Sequence, residues 1–141
     1  MTRVLSGLDL GQHIQQKFPD AVVDARPEWA EVKADSLVEV CTFLRDDPEL
    51  DFRYLSSLTG VDRLDHFEVV YHLLSIGRNQ ASTLKTRCDD HDNPEVPSVV
   101  PVWRGAHLQE RDVRPDGDTL PGPPRPAARL PVGRLPRPPL T

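Results

Sequence analysis

Between His66 and Cys88 the chain reads HFEVVYHLLSIGRNQASTLKTRC, and its first half alternates with the period of a strand. Phe67, Val69, Tyr71 and Leu73 fall on one face, and Val70, His72, Leu74 and Ile76 fall on the other. A strand with no clearly polar face is expected inside a sheet, covered on both sides. Gly77-Arg78-Asn79-Gln80 supplies turn chemistry. The return strand alternates more cleanly, with Leu84, Thr86 and Cys88 against Thr83, Lys85 and Arg87. That pattern suits a strand with one face in water.

The remaining segments are predicted to cover this sheet. Asp9 is placed to cap a helix carrying Leu10, Ile14 and Phe18, with Pro19 as its stop. Ala21–Ala25 and Trp29–Lys33 are short strands around a turn at Arg26-Pro27-Glu28. Ser36 and Glu39 form an S-x-x-E capping box. Leu37, Val40, Cys41 and Leu44 then make one apolar helical stripe, closed by Asp46-Asp47-Pro48. Phe52–Leu58 is a strand with Phe52 and Tyr54 on one face, and the polar stretch from Gly60 to Asp65 is a turn. Asp89 to Pro94 is a loop that Val96-Pro97-Ser98-Val99 leaves, and AHLQERDV from Ala106 is a helix stopped by Arg114-Pro115. This order predicts an α+β fold, a mixed sheet with helices packed on one face.

Composition divides the chain. The 28 residues from Arg114 onward hold nine prolines, no aromatic residue, five Arg and two Asp. That stretch carries +3, which leaves −8 on residues 1–113 out of the total of −5. The expected domains are therefore 1–113, an acidic α+β body, and 114–141, a disordered Pro/Arg-rich tail. An acidic body argues against nucleic-acid binding. Cys41 and Cys88 show no metal or redox spacing, and a reduced, cytoplasmic protein is the expectation. The first residues hold no run of signal-peptide length and no stretch is long enough to span a membrane, so any work at a membrane is expected through a docked partner.

Candidate chemistry is sparse. Asp89-Asp90-His91-Asp92 has the ligand types of a metal site but lacks the EF-hand glycine and terminal glutamate, and it reads as a solvated loop. His72 is expected to be a hydrogen-bonded core histidine. His13, His66 and His107 have no paired nucleophile, and Ser56-Ser57 has no nucleophile elbow around it. No phosphate loop, catalytic carboxylate pair or zinc pattern is present, which points to a protein that binds proteins. From physics alone, Glu110-Arg111-Asp112 is an exposed charged helix face.

LRDDPELDFRYLSSLTGVDR (Leu44–Arg63), FEVVYHLLS (Phe67–Ser75) and VPSVVPVWRGAHLQERDV (Val96–Val113) resemble, in order and spacing, the C-type subunit of NADH:quinone oxidoreductase. The same family of respiratory complex I includes the mitochondrial thirty-kilodalton subunit. The resemblance implies a non-catalytic structural subunit of the hydrophilic arm, supporting electron transfer from NADH to quinone coupled to proton translocation. NADH, quinone, FMN and iron–sulfur clusters would be held elsewhere in the complex and none by this chain. Its partners would be the quinone-site (D-type) subunit and the cluster-bearing B-type and I-type neighbours, on the cytoplasmic side of a bacterial membrane. The signature Glu110, Arg111, Asp112 would lie at the subunit interface. The equivalent subunit of a membrane-bound hydrogenase or another quinone oxidoreductase is the alternative, and a free-standing protein-interaction domain is another.

After Val113 the chain departs from the family's pattern. Permitted codons for residues 114–126, read one base later, spell Asp-Leu-Met-Gly-Ile-Arg-Phe-Pro-Gly-His-Pro-Asp-Leu, which is how the family continues. The same shift turns Arg134–Pro139 into Gly-Phe-Pro-Gly-His-Pro. The tail is accordingly read as out of frame from about Val113, unable to bury a core and without function.

Overall fold

A computed structural model describes residues 2–63, 65–88, 95–103, 105–106, 110 and 129–131. Its elements are β1 (Arg3–Val4), α1 (Gly7–Lys17), β2 (Val22–Arg26), β3 (Trp29–Val32), α2 (Leu37–Asp46), β4 (Tyr54–Asp62), β5 (Phe67–Ser75), β6 (Gln80–Cys88), β7 (Glu95–Pro97) and β8 (Arg129–Pro131). The main sheet runs β2-β3-β6-β5-β4, and β1 also pairs with β6. The β5–β6 hairpin is in unbroken register from Phe67↔Cys88 to Ser75↔Gln80. Its turn is closed by Asn79 at φ 53°, a conformation that asparagine tolerates better than most residues. β3 and β1 both lie parallel to β6, whereas β2–β3, β4–β5 and β5–β6 are antiparallel. The sheet is therefore mixed, as the alternation of helix and strand segments predicts.

Both helices cover one face. Leu10 and Ile14 of α1 and Leu37, Val40, Cys41 and Leu44 of α2 are fully buried, against Val32, Val69, Tyr71 and Leu84 of the sheet. Each large apolar side chain so buried contributes roughly 1.5–3 kcal/mol. Gly7 lets α1 approach the sheet: a Cβ there would meet the carbonyl oxygens of Arg26 and Trp29 at 2.1 Å. Its own N–H donates to the Pro27 carbonyl at 3.0 Å, so the helix starts against the β2–β3 turn. Only glycine fits that contact.

Several local expectations change. Helix α1 is capped by Ser6, whose Oγ accepts the Asp9 N–H at 3.1 Å, so Asp9 lies in the first turn instead. Its carboxylate still favours the positive end of the helix there. Ser36 occupies the cap of α2, but a 3₁₀ turn (Ala34–Ser36) leads into it and its side chain makes no capping bond. β4 begins at Tyr54 and runs to Asp62. Phe52, outside the strand, is fully buried, whereas Tyr54 is exposed. His72 is exposed, not in the core, with its Nδ1 3.4 Å from the Thr83 hydroxyl. The helices bury the Phe67–Leu73 face of β5 completely, and on the other face Val70 and Leu74 are only half-buried.

Within the segment 114–141, residues Arg129–Pro131 form β8, antiparallel to β7, and Leu130 is fully buried in the common core. At these three residues the chain is paired and Leu130 is buried, where a disordered tail unable to bury a core is the expectation. The rest of that segment lies outside the described residues, as do Asp89, Asp90, His91 and Asp92.

Candidate subunit interface

Two places on this body carry polar chemistry. The first is the stretch that follows β7. Val96, Val99, Val102, Trp103 and Ala106 are buried in the core. Three polar ties hold the stretch down: Arg45 donates from Nη1 to the Val102 carbonyl at 2.9 Å, the Trp103 indole N–H donates to the Phe52 carbonyl at 3.0 Å, and Glu110 closes it from beyond. The Glu110 carboxylate is 2% exposed. Its Oε1 accepts the Ser98 hydroxyl at 2.8 Å and its Oε2 accepts the Val99 backbone N–H at 2.7 Å. These are short charge-assisted bonds, which a buried carboxylate requires. Glu110 thus faces the protein's own backbone, whereas Arg111 and Asp112 lie outside the described residues.

Beneath this segment sits Tyr71, fully buried on the helical face of β5. Its Oη has no hydrogen-bond partner among the described residues. Burial, then the proximity of Cys41 and Glu110, push the phenol well above its ordinary pKa. Burial likewise pushes the Cys41 thiol up, so it stays protonated and inert. Cys41 and Cys88 are both buried.

The second place is the sheet face opposite the helices. Because β3 lies parallel to β6, Glu31 is set beside Lys85, and the antiparallel β5 brings Glu68 to the same spot. The Lys85 ammonium lies 3.0 Å from Glu68 Oε2, 4.0 Å from Glu31 Oε1 and 3.6 Å from the centre of the Trp29 ring. Glu68 also accepts from Arg63 at 3.2 Å and lies 3.3 Å from His66 Nε2, while the other His66 nitrogen is 2.7 Å from Asp65. Arg87 reaches Glu31 at 3.7 Å. Burial pushes the Glu68 carboxyl up, but the hydrogen bonds from Lys85, His66 and Arg63 together outweigh it and hold the group at about 2. Glu31, farther from the ammonium, is raised: its burial outweighs the attraction of Arg87 and Lys85. The cluster is nearly closed on itself, so it offers neither a free base nor a free nucleophile.

Sequence reading misses this network. Its one signal is Glu68, a charge within an otherwise apolar strand that pairs with the strand carrying Lys85 and Arg87, and Glu31 joins them only through a parallel pairing that no local pattern reveals. Among the described residues no cluster of three or more His, Cys, Asp or Glu could hold a metal ion. No described helix is long and apolar enough to cross a membrane.

Comparison with known proteins bears directly on these features. Residues 30–115 match the family described as "Respiratory-chain NADH dehydrogenase, 30 Kd subunit". The C-type subunit of the NADH-quinone oxidoreductase of Roseiflexus sp. (strain RS-1) is 40% identical over 108 residues, covering 72% of this chain and 62% of that protein. The C-type subunit from Hyphomonas neptunium is 38% identical over 118 residues, covering 79% of this chain and 56% of that protein. Among solved structures, a chain of the membrane-bound sulfane sulfur reductase, an archaeal respiratory membrane complex, superposes with a TM-score of 0.52 at 28% identity. That superposition covers 75% of this chain and 64% of the other. The chain spans about three fifths of the length of the curated relatives it matches.

Proposed function

The chain belongs to the family of the 30-kDa, C-type subunit of the respiratory NADH dehydrogenase, and from that premise we propose that it is a structural, non-catalytic subunit of the hydrophilic arm of an NADH:quinone oxidoreductase. In this role it supplies rigid surface to the neighbours that hold FMN, iron–sulfur clusters and quinone, and it binds none of them itself. The partners are the quinone-site (D-type) subunit and the cluster-bearing B-type and I-type neighbours. Through them the chain is held at the cytoplasmic side of a bacterial membrane. The observation that carries this reading is the match over residues 30–115, which runs from β3 to beyond Glu110. With Glu110 turned inward, Arg111 and Asp112 are the members of the signature left to contact a partner.

The likeness to a chain of the sulfane sulfur reductase complex favours a second reading, the equivalent subunit of a related membrane-bound complex. The higher identity to the NADH-quinone oxidoreductase subunits, 40% against 28%, favours the first. Residues from about Arg114 are read as encoded out of frame, in keeping with a family match that ends at residue 115.

Expression in a bacterium lacking its own C-type subunit tests the proposal, with membrane NADH:quinone reductase activity as the readout. The gene with its frame restored after Val113 should recover activity and co-purify with the quinone-site partner, and the unaltered gene should recover little. Failure of both would remove the assignment. Resequencing from the Trp103 codon onward decides the frame independently: absence of any frame continuing as Asp-Leu-Met-Gly-Ile-Arg-Phe would make the tail genuine.

A further inference from the structure

The main sheet, β2-β3-β6-β5-β4, has two edges, and the chain treats them differently. Edge β2 is guarded. It is bulged between Val22 and Asp24, and it carries Asp24 and Arg26 as an ion pair at 3.2 Å. The Asp24 carboxylate also accepts the Ala25 N–H at 2.9 Å. Helix α1 crosses so close that a Cβ on Gly11 would stand 3.0 Å from that of Ala25. A bulge, charges and a covering helix are the ordinary means of keeping a sheet edge from pairing.

Edge β4 has almost none of these. Its nine residues, YLSSLTGVD, hold no proline, lysine or arginine, and their one charge is Asp62 at the end. Its bulge falls at Ser56, between the Leu55 and Ser57 pairings, which leaves Ser57–Val61 as a regular, uncharged run. Among the described residues, no hydrogen bond outside the β4–β5 ladder reaches the backbone of that run. Thr59 and Gly60 are exposed. In an antiparallel strand alternate residues direct their N–H and C=O groups to opposite sides. Half of this run therefore bonds to β5, and the other half faces outward, open to a second strand.

What fits this edge is the edge itself. Thr59 is the midpoint of the run, so a second copy laid antiparallel, with Thr59 opposite Thr59, uses all five of its residues. That register sets Ser57 against Val61 and Leu58 against Gly60, twice each, with no charge opposite a like charge. Ser57, Thr59 and Val61 lie on the face opposite the helices, as their pairing with His72, Val70 and Glu68 shows. Leu58 and Gly60, paired with Tyr71 and Val69, lie on the helix-covered face. Each glycine brings no side chain to the sheet and gains a leucine from the other copy. An axis at Gly60 would instead set Leu58 against the charge of Asp62.

We propose that β4 is a self-association edge, at which two copies of this chain join antiparallel about Thr59 into one continuous sheet. The inference stands independently of the role proposed above.

The test uses the full-length chain. Sedimentation equilibrium should show a reversible dimer for the unaltered chain. At the same concentrations Thr59→Lys, which sets two ammonium groups against each other across the axis, should be monomeric. Thr59 is exposed, so the variant should keep the native circular dichroism. Thr59→Cys, oxidised with copper phenanthroline, should give a disulfide-linked dimer on a non-reducing gel, because residues directly opposite in an antiparallel pair lie within disulfide reach. His72→Cys, exposed on the same side of the sheet but one strand inward, should stay monomeric under the same oxidation. A monomeric unaltered chain, or a dimer that survives Thr59→Lys, overturns the proposal. So does a Thr59→Cys chain that cross-links no better than His72→Cys.

Discussion

The Glu110 carboxylate accepts the backbone N–H of Val99 at 2.7 Å, across eleven residues of chain, and is 2% exposed. This residue of the charged signature is thus an internal clamp. Its other oxygen holds Ser98. Replacing it by alanine leaves a buried N–H and a buried hydroxyl without their acceptor, at about 1–3 kcal/mol each. Glu110→Ala should therefore destabilise the isolated chain by about 2–6 kcal/mol in urea unfolding, and Glu110→Gln by less. A side chain serving only a partner contact would leave the isolated chain unchanged.

Lys85 stands between Glu68 and Glu31 with its own side chain almost fully buried. Lys85→Met removes the ammonium and leaves Glu68 to Arg63 and His66 and Glu31 to Arg87, which costs up to about 3–5 kcal/mol. Adding Glu68→Gln to the same chain should recover part of that loss, because one of the carboxylates left behind goes with it. Thermal melts of the single and double variants measure both, and a double variant no better than the single would contradict the pairing.

Acid should act through Glu68. Its folded pKa, about 2, lies below the ordinary 4.5, so the native state prefers the ionised form. The stabilisation is fully present above about pH 4.5 and is lost as pH falls toward about 2. Glu31 works in the opposite sense: its raised pKa means the folded chain takes that proton first, which relieves its burial as pH drops. Urea unfolding followed from neutral pH down to about pH 3 should show a steep loss below about pH 4.5, and a flatter profile in Glu68→Gln. Identical slopes would mean that the carboxylate is not held by its neighbours.

Tyr71 gives a prediction of the opposite sign. Its hydroxyl is fully buried and has no partner among the described residues. Tyr71→Phe removes a group whose desolvation nothing offsets, so stability should hold or rise by up to about 1 kcal/mol. A loss larger than that in the melting temperature would reveal an internal water bound at Oη.

How legible is this fold? The α2 stripe is legible to the residue: Leu37, Val40, Cys41 and Leu44 are all fully buried. The β5–β6 hairpin and its turn are equally plain, and so is the β2–β3 pair around Pro27. Caps are harder. Ser6 and Asp9 are both competent N-cap residues, and only the contact of Gly7 with the β2–β3 turn selects the earlier start. The candidate site is legible as a place more than as a mechanism. Glu110 stands out in the pattern, but its inward orientation is a long-range contact that spacing does not encode. The core placement of His72 fails because an apolar second face need not be a covered one, and on this chain His72 lies exposed on it.

What the amino-acid sequence determined by itself is the set of local periodicities and, through the likeness of three long runs to the C-type subunit, the family. Period 3.6 and period 2 are properties of a few consecutive residues, and the side chains that carry them need no distant partner to be recognised. What only the tertiary structure decided is which distant segments meet: β3 beside β6, setting Glu31 against Lys85; Glu110 against Val99; Leu130 against Val96. Those pairings come from closing long loops onto a common core, where the entropy of closure is offset by burial contributed from the whole sheet. No residue records that balance alone, and it is settled only when all of them pack together.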